Sequence, residues 1–362
     1  MAKRNTRQTA KKTESKESGK PATAGTKVAS REHLARVTRD SPEVAYALVQ
    51  DVLDRHKSDL LKIPGVVGLD VGPKVQNARP TLEFAIIVYV KNKSPKRLIS
   101  TKEYVPALIE SVPTDVIEQP RFESAVAAGV SGAATAAPPG TPYYGGSRIE
   151  SSENGAGTMG IDVRLNRDDF PVRLLTCAHI LSRADSPCDA RPNMSSNGRD
   201  VGHFDGIDCA FDEELDFALI EPPLDWPDEL AGLAPIATTP TIITRVWQSD
   251  MFPLVRCDIL GAQSGKLRQG LIRSIDSPRL PISDKRIGEV EGQILIEMAD
   301  GKGLPFVRPG DSGAAVVIED RLVGLIRGAS VKTPSDPVDG RYAIACHLSQ
   351  IAMRSGGLSL AK

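Results

Sequence analysis

The Gly-Asp-Ser-Gly tetrad at residues 310–313 is the stretch of this sequence best suited to nucleophilic chemistry. It directly precedes an apolar run, so Ser312 is expected on a tight turn at the start of a strand. Gly310 and Ser312 could each direct a backbone N–H toward an oxyanion that develops beside the serine hydroxyl. The same four residues also make an ordinary surface turn. The rest of the chain must therefore supply a base and a group that orients it.

A histidine at residue 179 is the best candidate for the base. A serine hydroxyl is a poor nucleophile at neutral pH and needs a general base. His179 follows an apolar stretch that ends in small residues, which predicts a position at the end of a strand, facing a cleft. The other histidines lack such a setting; they are His33, His56, His203 and His347.

The imidazole also needs a buried carboxylate that fixes its tautomer and stabilises its cation. Asp216 heads the apolar run 216–220. A carboxylate at the start of a buried strand is costly unless it is paired, so Asp216 needs a partner. Asp208, which heads the stretch 208–211, has a similar local form and is the rival. We favour Asp216 because the run that follows it is longer and more apolar.

Composition indicates an ordinary globular chain. Its 362 residues are too many for one typical core and suggest about two domains. Abundant Gly (31) and Pro (27) favour a β-rich fold with many turns. No apolar run approaches the 18 or so residues of a membrane span, and the basic N-terminus lacks the apolar core of a secretory signal. We expect a cytoplasmic protein.

The five cysteines predict neither a disulfide framework nor a zinc site, since their number is odd and no pair has Cys-x-x-Cys spacing. They are Cys177, Cys188, Cys209, Cys257 and Cys346. We expect reduced thiols, no metal and no cofactor. A thiol at Cys177, so near the base, could make activity sensitive to oxidants, but a buried structural cysteine is the commoner role.

Composition and residue patterns divide the chain into four expected segments. Residues 1–30 are expected to form a disordered basic tail, which could contact nucleic acid or anionic membrane but more often only solubilises. Residues 31–121 are expected to form a small α+β accessory domain that regulates, docks or assists folding. Residues 122–145, rich in Ala, Gly and Pro, predict a flexible linker or, alternatively, a cleavable activation segment. Residues 146–362 have the short apolar runs of an all-β domain.

Within the accessory domain, the sequence predicts a helix and three strands. Ser41, Pro42 and Glu43 are a helix-start signal, followed by apolar residues at helical spacing. The stretches 63–72 and 82–90 predict a β-hairpin, and 114–118 predicts a third strand. Near the end of the chain, 347–353 predicts a short helix.

The order His179, Asp216, Ser312 and the three local contexts resemble the chymotrypsin-like (trypsin-fold) serine peptidases. Residues 175–179 resemble that family's Thr-Ala-Ala-His motif, 216–220 its Asp-hydrophobic-Ala-Leu strand, and 310–313 its nucleophile motif. The resemblance covers about 146–358 and is closer to bacterial disulfide-free members. It implies a mainly β fold, a double β-barrel preceded by the α+β domain and the tail.

The resemblance also implies roles for the site residues. Ser312 would be the nucleophile, His179 the base and Asp216 its orienter, while the N–H groups of Gly310 and Ser312 would form the oxyanion hole.

Four further positions match the family's substrate-binding residues. Phe306 would lie at the base of the primary specificity pocket, where the absence of an acid gives no support for Arg or Lys substrates. Ile326, Arg327 and Gly328 would belong to the strand that pairs with extended substrate. Arg327 could favour acidic or small side chains, or could simply face solvent.

The sequence therefore predicts a serine endopeptidase that hydrolyses polypeptides and is regulated inside the cell, with a possible protein partner for the N-terminal domain. It predicts no specific nucleic-acid partner and no membrane association. The alternative is a catalytically silent, protease-like module that binds peptides by strand addition.

Overall fold

The computed structural model describes residues 30–76, 79–124, 145–153, 155–166, 172–196, 198–223, 241–242, 255–265, 267–299, 306–319, 321–333 and 340–360. The expected tail, apart from Ser30, and most of the expected linker lie outside these residues. No helix within the described residues is both long enough and apolar enough to span a membrane.

The N-terminal unit is a four-stranded sheet with two helices on one face. Its elements are α1 (Arg31–Asp40), α2 (Pro42–Leu61), β1 (Val66–Gln76), β2 (Arg79–Val90), β3 (Leu108–Ile109) and β4 (Val112–Glu118). The expected helix after Ser41 begins with Pro42 at its first turn. The sequence did not predict α1, which Ser30 caps by accepting a hydrogen bond from the His33 N–H.

The sheet of this unit is buried on both faces. Its strand order is β1-β2-β4-β3, with the expected β1–β2 hairpin antiparallel and β2–β4 parallel. Phe84, Ile86 and Val88 pack beneath the helices, while Ala85, Ile87 and Tyr89 cluster on the opposite face. Burial of both faces explains why β2 is apolar without alternation.

The second face of this sheet lies against the C-terminal part of the chain. The side-chain amide of Gln119 donates to the carbonyl oxygen of Arg279 at 2.6 Å. An added Cβ at Gly68 would lie 2.9 Å from the side chain of Pro278. The N-terminal unit is therefore docked on the β-rich part of the chain.

The next part of the chain forms the first barrel from two antiparallel sheets, with strand orders β11-β10-β6-β7 and β12-β13-β9-β8-β23. Their bounds are β6 (Arg148–Ser151), β7 (Ala156–Thr158), β8 (Ile161–Leu165), β9 (Val172–Thr176), β10 (Asn193–Ser196), β11 (Arg199–His203), β12 (Cys209–Phe211), β13 (Asp216–Ile220) and, from the end of the chain, β23 (Leu358–Leu360).

The second barrel is built on one large sheet, with strand order β14-β21-β20-β15-β16-β19-β22, together with the hairpin β17–β18. The bounds are β14 (Thr241–Ile242), β15 (Arg256–Leu260), β16 (Leu267–Ser274), β17 (Leu280–Pro281), β18 (Glu289–Val290), β19 (Ile294–Met298), β20 (Ala315–Ile318), β21 (Arg321–Ser330) and β22 (Tyr342–His347). The expected closing helix is α3 (Leu348–Arg354). The mainly β, double-barrel architecture expected from the sequence is confirmed.

Strand β20 joins the cores of the two barrels. Ala315 and Val317 pack with residues of the first barrel, while Val316 and Ile318 pack within the second. Successive side chains of a strand point to opposite faces, so an uninterrupted apolar run serves both cores. This arrangement fixes the turn that carries Ser312, which directly precedes β20.

Two expectations are wrong. The first three residues of the expected linker form a strand, β5 (Phe122–Ser124), which pairs with β21. The expectation of a disulfide-free chain also fails, because Cys188 and Cys209 form a disulfide. The short helical turn Pro187–Asp189 carries Cys188 to β12, where Cys209 is the first residue.

The disulfide gives a direct chemical prediction. When the chain is denatured without reductant, an alkylating reagent should modify Cys177, Cys257 and Cys346 only, since these are the free cysteines. Mass spectrometry should show the remaining two thiols modified only after reduction. Modification of all five before reduction would contradict the Cys188–Cys209 bond.

A second prediction concerns Asp162 on β8, which is 4% exposed and whose Oδ1 has no hydrogen-bond partner among the described residues. Burial raises the pKa of Asp162 to about 7, whereas the unfolded value is about 3.9. The folded state therefore keeps this proton up to a higher pH than the unfolded state does. As a result, the free energy of unfolding falls as pH rises from about 4 to about 7 and is level above that range. The slope from this one group is about 1.4 kcal/mol per pH unit.

Asp162→Asn should remove this slope, because an amide does not titrate. Denaturant unfolding at several pH values measures the effect, and Asp189→Asn, at an exposed carboxylate of the same barrel, is the control. An unchanged slope in Asp162→Asn would contradict the assignment.

Candidate active site

Three elements bring His179, Asp216 and Ser312 into one region between the barrels. His179 lies on the helical turn Ala178–Ile180, which follows β9. Asp216 is the first residue of β13, and β13 pairs with β9 so that Ala218 is opposite Thr176. If this antiparallel register is extended by two residues, Asp216 lies opposite Ala178, in the turn that carries His179.

Asp216 holds His179 at two points. One carboxylate oxygen accepts the backbone N–H of His179 at 3.1 Å, and the other is hydrogen-bonded to Nδ1 of the imidazole. Both side chains are buried, with at most 1% exposed. Of the two carboxylates considered from the sequence, Asp216 and not Asp208 contacts His179.

Electrostatics keep Asp216 ionised in this buried position. Burial opposes its ionisation, but the charge of the imidazole, the hydrogen bonds from His179 and the charge of Arg327 outweigh burial and hold the pKa of Asp216 below its ordinary value. An ionised carboxylate only accepts hydrogen bonds, so Nδ1 must donate. In the neutral imidazole, Nε2 then carries the free lone pair that a general base requires.

Arg327 points inward, so the expectation that its side chain faces solvent is wrong. Its side chain is buried, and Nε lies 3.5 Å from a carboxylate oxygen of Asp216. Its guanidinium also donates to the backbone carbonyls of Asp212 and Glu213. The pairing of β21 with β22 shifts register between Ile326 and Gly328, so Arg327 is the extra residue of a bulge. Bulges re-aim side chains in this way.

Ser312 lies on a turn in which Gly310 and Gly313 adopt backbone angles that favour glycine. The φ angles are +102° at Gly310 and +89° at Gly313, in the region that other residues rarely adopt. The Asp311 carboxylate anchors the turn by accepting hydrogen bonds from the backbone of Arg308 and from Ser264. The hydroxyl of Thr158 donates to the carbonyl of Gly310 at 2.8 Å, a contact that no sequence pattern indicates.

The serine hydroxyl is not engaged with the base in this structure. It donates to the carbonyl oxygen of Arg327 at 3.3 Å. Nε2 of His179 is buried and has no hydrogen-bond partner among the described residues. Within the same residues, no backbone carbonyl accepts the N–H of Gly310 or of Ser312. A base nitrogen and two N–H donors are therefore unsatisfied in the same region as the hydroxyl.

The remaining predicted site residues have different surroundings. Phe306 is 1% exposed and packs in the core of the second barrel with Cys257 and Ile296. Both backbone groups of Ile326 are used within the protein, since its carbonyl accepts from Gly313 and its N–H donates to Ala314.

The pairing of Gly328 differs from that of Ile326. Gly328 belongs to the stretch of β21 that pairs with β5, where it lies opposite Ser124.

One group of potential metal ligands occurs among the described residues. The ligand atoms of Cys177, His179 and Asp216 lie within 4.8 Å of one another. Burial raises the pKa of the Cys177 thiol well above its ordinary value, and the thiol contacts the carbonyl of Ile326 at 3.1 Å. Nδ1 of His179 is already hydrogen-bonded to Asp216 and the thiol already contacts a carbonyl, so these atoms are engaged with protein partners as a His–Asp pair beside a structural cysteine.

A cavity of about 430 Å³ lies on the outer side of His179. Its wall is formed by Ser124, His179, Arg183, Asp185, Asp284, Lys285 and Arg286. Asp284 pairs with Arg286 at 2.6 Å and accepts the hydroxyl of Ser124 at 3.2 Å. Ser124, at the C-terminal end of β5, and His179 therefore line the same cavity.

No family model and no curated protein sequence matches the chain. Three solved serine proteases are similar in fold. A glutamic-acid-specific serine protease is 14% identical, with a TM-score of 0.44 over 60% of this chain and 100% of its own. Cellulomonas bogoriensis chymotrypsin is 16% identical, with a TM-score of 0.42 over 61% and 98%. Thermobifida fusca protease A is 14% identical, with a TM-score of 0.43 over 61% and 100%.

The buried Arg327 gives a stability prediction. Arg327→Met leaves the buried Asp216 without its guanidinium neighbour and should lower the free energy of unfolding by about 3–5 kcal/mol, the usual cost of removing one partner of a buried ion pair. Arg327→Lys keeps the charge and loses the guanidinium hydrogen bonds, so its stability should lie between those of wild type and Arg327→Met. Denaturant unfolding near pH 7 measures both variants. A methionine variant as stable as wild type would contradict the role of Arg327.

Proposed function

We propose that this chain is a serine endopeptidase. Ser312 attacks the peptide carbonyl, His179 takes its proton and later gives it to the leaving amine, and Asp216 orients His179 and stabilises its cation. The N–H groups of Gly310 and Ser312 stabilise the oxyanion.

The single observation that carries this proposal is the state of His179. The hydrogen bond from Nδ1 to the ionised Asp216 fixes its tautomer, and a second bond from its backbone N–H holds its position. Nε2 is left buried with no partner among the described residues. A buried polar atom with no partner is costly. The arrangement is useful where Nε2 accepts a proton during a reaction. Ser312, on the turn that contains Gly310 and Gly313, is the hydroxyl proposed to supply that proton.

Catalysis requires a change of one hydrogen bond. The Ser312 hydroxyl must turn from the carbonyl of Arg327 to Nε2 of His179. Rotation about a side-chain bond is fast and inexpensive, and catalytic hydrogen bonds often tighten only when substrate binds. Regulation of the activity by the N-terminal part of the chain belongs to the same proposal.

A catalytically silent peptide-binding module is the second candidate. It is favoured by the observation that the Ser312 hydroxyl is buried and bonded to Arg327, not to the base. In that case the edge of β21 would still bind extended peptide by strand addition.

A small alkyl fluorophosphonate separates the two candidates, because it reacts with an activated serine and does not need the peptide-binding edge. Wild type should form an adduct that peptide mapping places on Ser312. Ser312→Ala should form none, and His179→Ala should react slower by several orders of magnitude, since such residues act as a unit. Folded wild type that stays unmodified on prolonged incubation would contradict the endopeptidase proposal and favour the silent module.

A further inference from the structure

Strand β5 lies on the edge of β21 beside the candidate active site. The two strands are antiparallel, with Phe122 opposite Ser330, Glu123 opposite Ala329 and Ser124 opposite Gly328. One residue earlier in β5, the carbonyl of Arg121 accepts the N–H of Val331 at 2.9 Å. Hydrogen-bonded and non-bonded pairs alternate along an antiparallel ladder. Glu123 and Ala329 are therefore the next hydrogen-bonded pair toward the site.

Strand β5 runs so that its C-terminal end is directed toward Ser312, the proposed nucleophile. Moving from Phe122 to Ser124, the opposite residues run from Ser330 to Gly328. The next residue of β21 is Arg327, whose carbonyl accepts the Ser312 hydroxyl. Ser124 also lines the cavity beside His179. The strand thus approaches the site as the N-terminal portion of a bound peptide would.

The contacts of β5 are those of a docked peptide. Phe122 is fully buried in an apolar cluster with Leu280, Ile282, Val290, Leu295 and Ile344. Its carbonyl accepts the N–H of Ser283 at 2.7 Å. The side chain of Glu123 is exposed. One apolar anchor, a backbone ladder and an outward polar side chain are the features of recognition by strand addition.

The fit at Gly328 is close enough to require glycine. An added Cβ there would lie 2.7 Å from the carbonyl oxygen of Glu123. The edge of β21 is therefore shaped for a strand at the position that β5 occupies.

We propose that β5 is an internal peptide ligand of the candidate active site, which occupies the edge of β21 where an extended polypeptide substrate would otherwise pair. The identity of the competing ligand rests on the proposed function. A tethered segment has an effective concentration in the millimolar range. An external polypeptide must displace it, so β5 raises the apparent KM and leaves kcat for bound substrate unchanged.

Glu123→Pro tests this proposal in the full-length chain. Proline removes the N–H that pairs with Ala329 and adds a ring that crowds the ladder. The exposed Glu123 side chain makes loss of the overall fold an improbable cause of any effect, and Glu123→Ala is the matched control because it keeps the N–H. Hydrogen exchange should show the amides of Ala329 and Val331 less protected in Glu123→Pro than in Glu123→Ala.

Two serine-directed reagents then report on the site. The peptidyl reagent is a diphenyl phosphonate with the sequence Phe-Glu-Ser-Ala of residues 122–125, which needs the edge of β21, and the other is the small alkyl fluorophosphonate. Glu123→Pro should react with the peptidyl reagent about tenfold faster than Glu123→Ala and wild type, with unchanged reactivity toward the alkyl reagent. Equal peptidyl rates in all three proteins, with normal alkyl reactivity, would overturn the proposal while leaving the proposed function intact.

A binding measurement covers the case in which the alkyl reagent labels no form of the protein, which would mean that the proposed function has failed. A fluorescent peptide of residues 118–124 is titrated into Ser312→Ala proteins that carry Glu123→Pro or Glu123→Ala, and anisotropy is followed. The proline variant should bind it about tenfold more tightly. Equal affinity would overturn the role of β5 as a competing ligand.

Discussion

The site depends on one buried charge, the carboxylate of Asp216. An ionised group without water is tolerated only when opposite charge and hydrogen-bond donors surround it. Here His179 supplies two donors, and Nε of Arg327 lies 3.5 Å from the carboxylate oxygen that also bonds to the imidazole. Because these partners come from both barrels, the charge ties the two halves of the β-rich region together at the position where chemistry is proposed.

The surrounding structure serves to hold those partners in place. Pairing of β13 with β9 sets Asp216 beside the turn of His179. A bulge in β21 turns Arg327 inward, and the same strand offers the carbonyl that holds the Ser312 hydroxyl. Strand β20 packs into both cores and so fixes the preceding turn. The site is thus built on strands and short turns whose side chains are locked by packing, which favours a preorganised arrangement.

The sequence predicted the parts of this account that are local. Asp216 and His179 can be recognised from the sequence because each adjoins an apolar run, where a polar side chain needs a partner. The same argument applied to Arg327, a charged residue inside an apolar strand, predicts that it needs a partner but does not identify Asp216 as that partner. The bulge that turns it inward depends on pairing with β22, which no local pattern reveals.

Two other features depended on contacts between distant segments. The short strand β5 is followed by a stretch rich in Ala, Gly and Pro, so composition predicts a linker at this position. Its pairing with β21 joins residues about two hundred positions apart in the chain, which no local pattern can predict. The pairing of Cys188 with Cys209 follows from the way β12 returns beside the turn of Cys188. An odd cysteine count and the absence of Cys-x-x-Cys spacing could not exclude it.

The central claim is that Asp216 fixes the tautomer of His179 and leaves Nε2 free to accept a proton. Nitrogen-15 NMR of histidine-labelled protein, with the His179 signals assigned by their loss in His179→Gln, tests it most directly. When the imidazole is neutral, Nδ1 of His179 should carry a proton and Nε2 should carry none, in wild type and in Ser312→Ala alike. A proton on Nε2, or a rapidly exchanging mixture of the two tautomers, would contradict it.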